Sequence, residues 1–195
     1  MSDPRIPKAE LTGVFGFLVK RMSRKIVGDV PEPAEVMWHN KRVLKDMMRI
    51  GGKVQKWDQL DPDLTSYASM AVSALVGCSW CLDFQYFTAH NEGLDETKAS
   101  EVPRWRESTV FTPVERDVME YAEAMSVTPT RVTDELAARL LDQLGAPALV
   151  ELTAVVAFGN MSTRSNIAMG IEAQGFSTAC SLPLARRPVD VVVPA

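Results

Sequence analysis

Residues 64–84, LTSYASMAVSALVGCSWCLDF, decide the fold of this chain. From Asp61-Pro62 onward, the run Leu64 to Val76 is rich in Ala, Ser and Met and contains no Gly or Pro, which favours a helix. Ala71-Val72-Ser73-Ala74-Leu75-Val76 taken alone would also pass as a buried strand. A strand leading into Cys78-Ser79-Trp80-Cys81 would make the protein thioredoxin-like; a helix would make it all-α.

The flanking sequence favours the all-α class. Downstream, Thr112-Pro113-Val114-Glu115 combines an N-cap Thr, Pro at the first helical position and Glu three residues after the cap, ahead of Val118, Tyr121, Ala122 and Met125 on one face. Thr133-Asp134 starts a further helix through Leu136, Leu140 and Leu144, and Ala146-Pro147 starts a long one to about Ile171. Upstream, Leu11, Val14, Phe15, Leu18, Val19, Met22 and Ile26 recur at helical spacing, predicting an amphipathic helix over 10–27 that ends at Gly28. Its apolar face calls for burial against the chain's own core or a second subunit. Pro31 and Pro33 mark a turn into a helix from about Ala34 to Ile50, stopped by Gly51-Gly52. His39 on that helix reads as a structural or surface residue. No βαβ alternation appears, and the Pro-rich tail from Ser181, with its run Val189–Val193, reads as extended.

The chemistry lies in the cysteines. Cys78 and Cys81 form a C-x-x-C pair, while Cys180 stands alone about a hundred residues on, so no disulfide framework of several bridges is implied. After Gly77, Cys78 opens a helix running to about Asn91, with Gly93 as its terminator. The first turn of a helix offers unpaired N–H groups and the positive end of the dipole, which favour thiolate over thiol. The dipole argument makes Cys78, nearer the helix start, the more acidic sulfur. A three-residue spacing also lets the pair close a disulfide. Zinc needs more ligands, and His90, nine residues past Cys81, falls about 180° around the helix from it, so no metal site is expected here. Gln85 shares the face of both cysteines and is a candidate donor to a thiolate. Asp83 points away from Cys81 and reads as a surface or capping carboxylate; Trp80, Phe84, Tyr86 and Phe87 read as apolar cover.

With 195 residues and 46% apolar content the chain can bury a full core. The net charge of −4 divides into +6 over residues 1–57 and −10 over the remainder. The basic end reads as a solvated helix surface that complements an acidic body or neighbouring subunit, and no zinc-finger or RNA-binding signature points to nucleic acid. The N-terminus lacks a signal-peptide layout and no uninterrupted apolar run approaches the roughly 20 residues of a membrane span, so a cytoplasmic location without membrane contact is expected.

The segment Leu75-Val76-Gly77-Cys78-Ser79-Trp80-Cys81-Leu82-Asp83-Phe84, followed by Ala89-His90-Asn91-Glu92-Gly93-Leu94, resembles the signature of the carboxymuconolactone decarboxylase and alkyl hydroperoxidase D superfamily. Leu149-Val150-Glu151-Leu152-Thr153 with Asn160, Arg164 and Asn166 is similar to its C-terminal helix. The resemblance covers residues 34–172, leaving an N-terminal extension over 1–33 and a tail over 173–195. It implies an all-helical bundle, a homo-oligomer, no cofactor, and a thiol pair that reduces a small hydroperoxide at the expense of a thiol reductant. In that scheme Cys81 is the attacking sulfur and Cys78 its resolving partner, opposite to the dipole argument. The chain departs from the pattern at two relay positions, where the family's His and Glu are replaced by Gln85 and Ser66. Neither can act as an acid–base group near neutral pH. A non-catalytic redox-sensing oligomer is therefore the alternative from a different class, with a thioredoxin-like reductase or a lactone decarboxylase less favoured.

Overall fold

Most of the long helices begin on a side chain that satisfies their first free amides. Asn40, Asp61, Asp95, Thr112 and Thr133 each accept from a backbone N–H two or three residues into the helix that follows, and such a cap is worth about 1 kcal/mol. In the computed structural model, which describes residues 4–188, the resulting elements are α1 (Gly13–Val27), α2 (Glu32–Met37), α3 (Lys41–Val54), α4 (Pro62–Val76), α5 (Ser79–Glu92), α6 (Glu96–Glu101), α7 (Pro113–Ser126) and α8 (Asp134–Met169). No strand occurs among the described residues. Residues 64–76 are thus helical, and the thioredoxin-like alternative falls with the strand it needed. The run Val189–Val193 lies outside the described residues.

α4 is the centre of the molecule, packed between α5, α7 and α8. Tyr67, Met70, Val72, Met119, Leu140, Leu152 and Val156 are fully buried between these helices; each large apolar side chain so buried contributes about 1.5–3 kcal/mol. Close approach of α8 to α4 uses Gly159, which faces Val72. α8 is broken at Gly145, where φ is +77°, ahead of Pro147, matching the two helix starts read at Thr133 and Ala146. By length and apolar composition α8 is able to cross a bilayer, a property it shares with core helices of soluble proteins. Here its Leu140, Leu152 and Val156 pack into the core.

Two expectations for the N-terminal part need correction. The helix read as Ala34 to Ile50 is two helices, because Asn40 leaves helical geometry and its side chain caps α3 by accepting from Val43 N–H. α3 then runs through Gly51-Gly52 to Val54, with Gly51 facing the Phe158 ring. His39 lies at the junction, its Nε2 2.8 Å from the Pro7 carbonyl, in keeping with a structural role. The first helix starts at Gly13 rather than residue 10, since Leu11 folds back against Gly16 so closely that a Cβ there would stand 2.6 Å from the Leu11 backbone. Leu11, Val19, Val30, Trp38 and Leu44 make a small core of their own, and Phe15 stacks on Trp38. Val14, Leu18, Met22 and Ile26 stay exposed. The apolar stripe of α1 is therefore covered along only one edge.

Candidate redox site

Gly77 ends α4 with φ +85°, a left-handed conformation that glycine adopts without a Cβ penalty. The amides of Gly77 and Cys78 both return to the Ser73 carbonyl, each at 3.0 Å. This turn delivers Cys78 to the N-cap position of α5, where its Sγ accepts from Cys81 N–H at 3.2 Å. The two Cα atoms are 5.3 Å apart and the sulfurs are joined in a disulfide, a spacing natural to one helical turn. Asn166 of α8 donates from Nδ2 to Cys81 Sγ at 3.4 Å. Each sulfur thus has one N–H donor: a backbone amide for Cys78, a side-chain amide for Cys81. The Asn166 Oδ1 atom is buried without a hydrogen-bond partner.

Both sulfurs are shielded, with Cys78 1% and Cys81 4% exposed. The segment after α8 packs along the same face of α5, around Ser79, Trp80, Asp83 and Phe84. Asp83, read from sequence as a surface or capping carboxylate, is a buried cap: it accepts from the amides of Gly175, Phe176 and Ser177 at 2.8–3.0 Å and from the Ser177 hydroxyl at 2.6 Å. Phe176 meets Trp80 and Phe84 edge-on, and Phe87 also lies against it. Gln174 Oε1 accepts from Trp80 Nε1 and from Glu32 N–H, both at 2.7 Å, tying the N-terminal extension to the thiol turn. Arg5 reaches the end of α8, donating to the Ile167 and Ala168 carbonyls. Arg187 of the tail does the same for α4, donating to Ala74 and Leu75 carbonyls.

Gln85 is hydrogen-bonded to neither sulfur. Its Oε1 accepts from Ser73 Oγ at 2.7 Å, so it is linked to the thiols through the residue whose carbonyl holds the Gly77-Cys78 turn. Gln85 and Ser66 line one cleft of about 230 Å³ with Ser69, Thr88, Phe84 and Phe158. The two substituted relay positions therefore line the same cleft, but neither cysteine is among the residues walling it. Sequence reasoning assigned no role to Ser73, Gln174 or Asn166. Only Asn166 carried a signal, as part of the quoted C-terminal pattern.

At the far end of α5, His90 is paired with Glu96 and lies beside Cys180. Burial pushes the Cys180 thiol up, helped by the charges of Glu96 and Asp83. Tyr86 is pushed up to about 12, first by burial and then by Cys180 and Glu96, so its hydroxyl stays a donor to the Leu182 carbonyl at 2.8 Å.

These features define an all-helical protein with a disulfide closed across the first turn of a core helix. The pattern of the carboxymuconolactone decarboxylase family matches residues 41–124. Over 136 residues, 70% of this chain and 73% of the relative, the sequence is 38% identical to the uncharacterized protein YnjA of Escherichia coli (strain K12). The chain belongs to the carboxymuconolactone decarboxylase family. Its fold is similar to the alkylhydroperoxidase AhpD core of a peroxidase-related protein from Ralstonia eutropha JMP134, with TM-score 0.78 and 16% identity over 90% of this chain and 95% of that one. It is also similar to a cysteine-to-alanine variant of the debrominase Bmp8 in complex with 2,3,4-tribromopyrrole, with TM-score 0.74 and 19% identity over 83% and 87% of the two chains.

Proposed function

We propose that the protein is a thiol-dependent peroxidase whose Cys78–Cys81 pair cycles between dithiol and disulfide. The observation that carries this reading is the bonded sulfur pair at the start of α5, with an N–H donor on each sulfur. In the reduced state the Asn166 amide stabilises a Cys81 thiolate, which attacks the distal oxygen of a hydroperoxide. The O–O bond breaks, the alkoxide takes a proton from solvent to leave as alcohol, and Cys81 becomes a sulfenic acid. The Cys78 sulfur then displaces hydroxide from Cys81, water leaves, and the disulfide closes. Two equivalents of a thiol reductant reopen it by exchange. A reducing compartment such as the cytoplasm supplies those thiols. Because both cysteines are buried, peroxide and reductant reach the sulfurs only if the surrounding packing opens, and residues 173–177, which hold Ser79 and Asp83 beside them, are the segment proposed to move. Peroxide consumption with a panel of thiol reductants tests the proposal; turnover no faster than that of the double Cys78→Ser, Cys81→Ser variant would refute it.

Gln85 and Ser66 supply no titrating proton to this cycle, which makes the reaction slow. Gln85→His is expected to raise the peroxide reduction rate about a hundredfold at neutral pH, the lower end of what a positioned acid–base group contributes. Stopped-flow oxidation of the reduced variant measures this, and an unchanged rate would remove the relay from the account.

A second reading draws on the aromatic side chains of the cleft, Phe84 and Phe158, and on the likeness to a debrominase. The same two-electron couple balances a reductive dehalogenation, in which an aryl bromide and two thiols give the arene, bromide, a proton and the disulfide. Bromide release from a brominated pyrrole, set beside peroxide turnover, separates the two reactions.

The exposed apolar row Val14, Phe17, Leu18, Met22 and Ile26 on α1 supports a homo-oligomer that buries it. Light scattering at micromolar concentration is expected to give a multiple of the 21.5 kDa chain mass. A clean monomer would contradict this.

A further inference from the structure

His90, Glu96 and Cys180 come from three separate parts of the chain: the last turn of α5, the first turn of α6, and the end of the turn at Phe176–Ala179. Their ligand atoms, an imidazole nitrogen, a carboxylate oxygen and a thiol sulfur, all lie within 4.8 Å of one another, and all three residues are half-buried. The thiol cycle uses none of them. Gly93, with φ +86°, lets the chain reverse between α5 and α6, which sets His90 Nδ1 directly against Glu96 Oε1. Glu96 is held in place by Ser181 N–H, at 3.1 and 3.3 Å from its two oxygens. Cys180 is carried into the group by the grip of Asp83 on residues 175–177 and by the Tyr86 hydroxyl on Leu182.

We propose that this trio binds a zinc-class divalent cation, with three protein ligands and a fourth position open to water or a small anion. The donor set decides the class of ion. Thiolate and imidazole select zinc-like metals, and a single carboxylate among them does not suit magnesium or calcium, which take oxygen ligands throughout. Ligand atoms around four-coordinate zinc stand roughly 3.3–3.8 Å apart, from bond lengths near 2.0–2.3 Å. The present grouping, with its ligand atoms within 4.8 Å of one another, is already close to that spacing. On binding, the Cys180 thiol proton and any proton shared between His90 and Glu96 leave to solvent, and no oxidation state changes. Along its own helix His90 has no sulfur on its face, since Cys81 lies about 180° around from it. Its sulfur partner lies 90 positions downstream, brought in by contacts that no spacing rule encodes.

The test uses the full chain with the Cys78–Cys81 disulfide intact, so that neither of those sulfurs is a ligand, and with cobalt(II) and zinc(II) as probes. Cobalt should bind one per chain, with a thiolate-to-metal charge-transfer band in the near ultraviolet and the strong visible bands of four-coordination, and zinc should displace it. Cys180→Ser should abolish the charge-transfer band. His90→Ala and Glu96→Ala should each weaken zinc by more than the roughly 10–100-fold that loss of an outer hydrogen-bond partner costs. Cys78→Ser with Cys81→Ser should leave the cobalt spectrum unchanged. Circular dichroism of every variant checks folding, and Cys180→Ala replaces Cys180→Ser if the serine variant is not folded. Absence of stoichiometric cobalt binding at micromolar concentration, a wild-type spectrum without the thiolate band, or a band that survives loss of Cys180 would each overturn the site.

Discussion

Asp83→Ala is expected to destabilise the protein by about 3 kcal/mol and to speed reduction of the Cys78–Cys81 disulfide by an external dithiol. The carboxylate accepts three backbone amides and one hydroxyl, and hydrogen bonds to a buried charge are worth about 1.5–3 kcal/mol each before solvent replaces some of them. Its removal leaves the 175–177 amides without acceptors. The segment then loses its hold on the first turn of α5, and the Phe176 ring no longer covers Trp80 and Phe84. Asp83→Asn keeps the shape and part of the acceptor capacity and should cost roughly half as much. Urea denaturation gives the stability change, and the rate of disulfide reduction gives the accessibility change. If Asp83→Ala leaves the reduction rate as in wild type, access to the sulfurs does not run through this segment.

The second large effect separates the two sulfurs. Cys81→Ser should abolish sulfenic acid formation and peroxide turnover, while Cys78→Ser should still form a sulfenic acid on Cys81 that cannot be resolved within the chain. The helix dipole argues for Cys78, whose Sγ already receives the Cys81 amide. Asn166 argues for Cys81, because a side-chain N–H directed at that sulfur stabilises charge there and has an otherwise unpartnered oxygen beside it. Trapping with a sulfenic-acid-selective reagent, followed by peptide mapping, decides between them. Accumulation on Cys78 in the Cys81→Ser variant would reverse the assignment.

The all-α class was legible because the information is local. Thr112 with Glu115 forms the reciprocal cap its spacing predicts, Gly28, Gly77 and Gly93 end their helices in the left-handed region, and an Ala-rich run without Gly or Pro became α4. Boundaries failed where tertiary contact outweighed local preference. Gly51-Gly52 sits inside α3, since the Asn40 cap and packing on Phe158 outweigh a cost of about 1 kcal/mol per glycine. The cysteine pair was legible from its spacing, whereas the cleft that Gln85 and Ser66 share was not read from the sequence, which marked them only as replacements at the family's relay positions. The packing of residues 173–177 beside the thiol turn was not legible either. Asp83 meets residues 175–177, Gln174 meets Trp80, and His90 meets Cys180 across about 90 positions of chain. Such contacts depend on how α8 packs against α4 and α5, which no periodicity in this sequence records.

The central claim is that Cys78 and Cys81 form a reversible thiol couple that a hydroperoxide oxidises. Its most direct measurement is mass spectrometry of the fully reduced chain after one equivalent of hydroperoxide, with free thiols blocked at timed intervals. The account predicts stoichiometric loss of two hydrogens, a Cys78–Cys81 linked peptide, blocked Cys180, and full recovery of the reduced mass on adding a dithiol. Dithiol left unreacted over the time in which peroxide is consumed, or oxidation appearing first at Cys180, would contradict it.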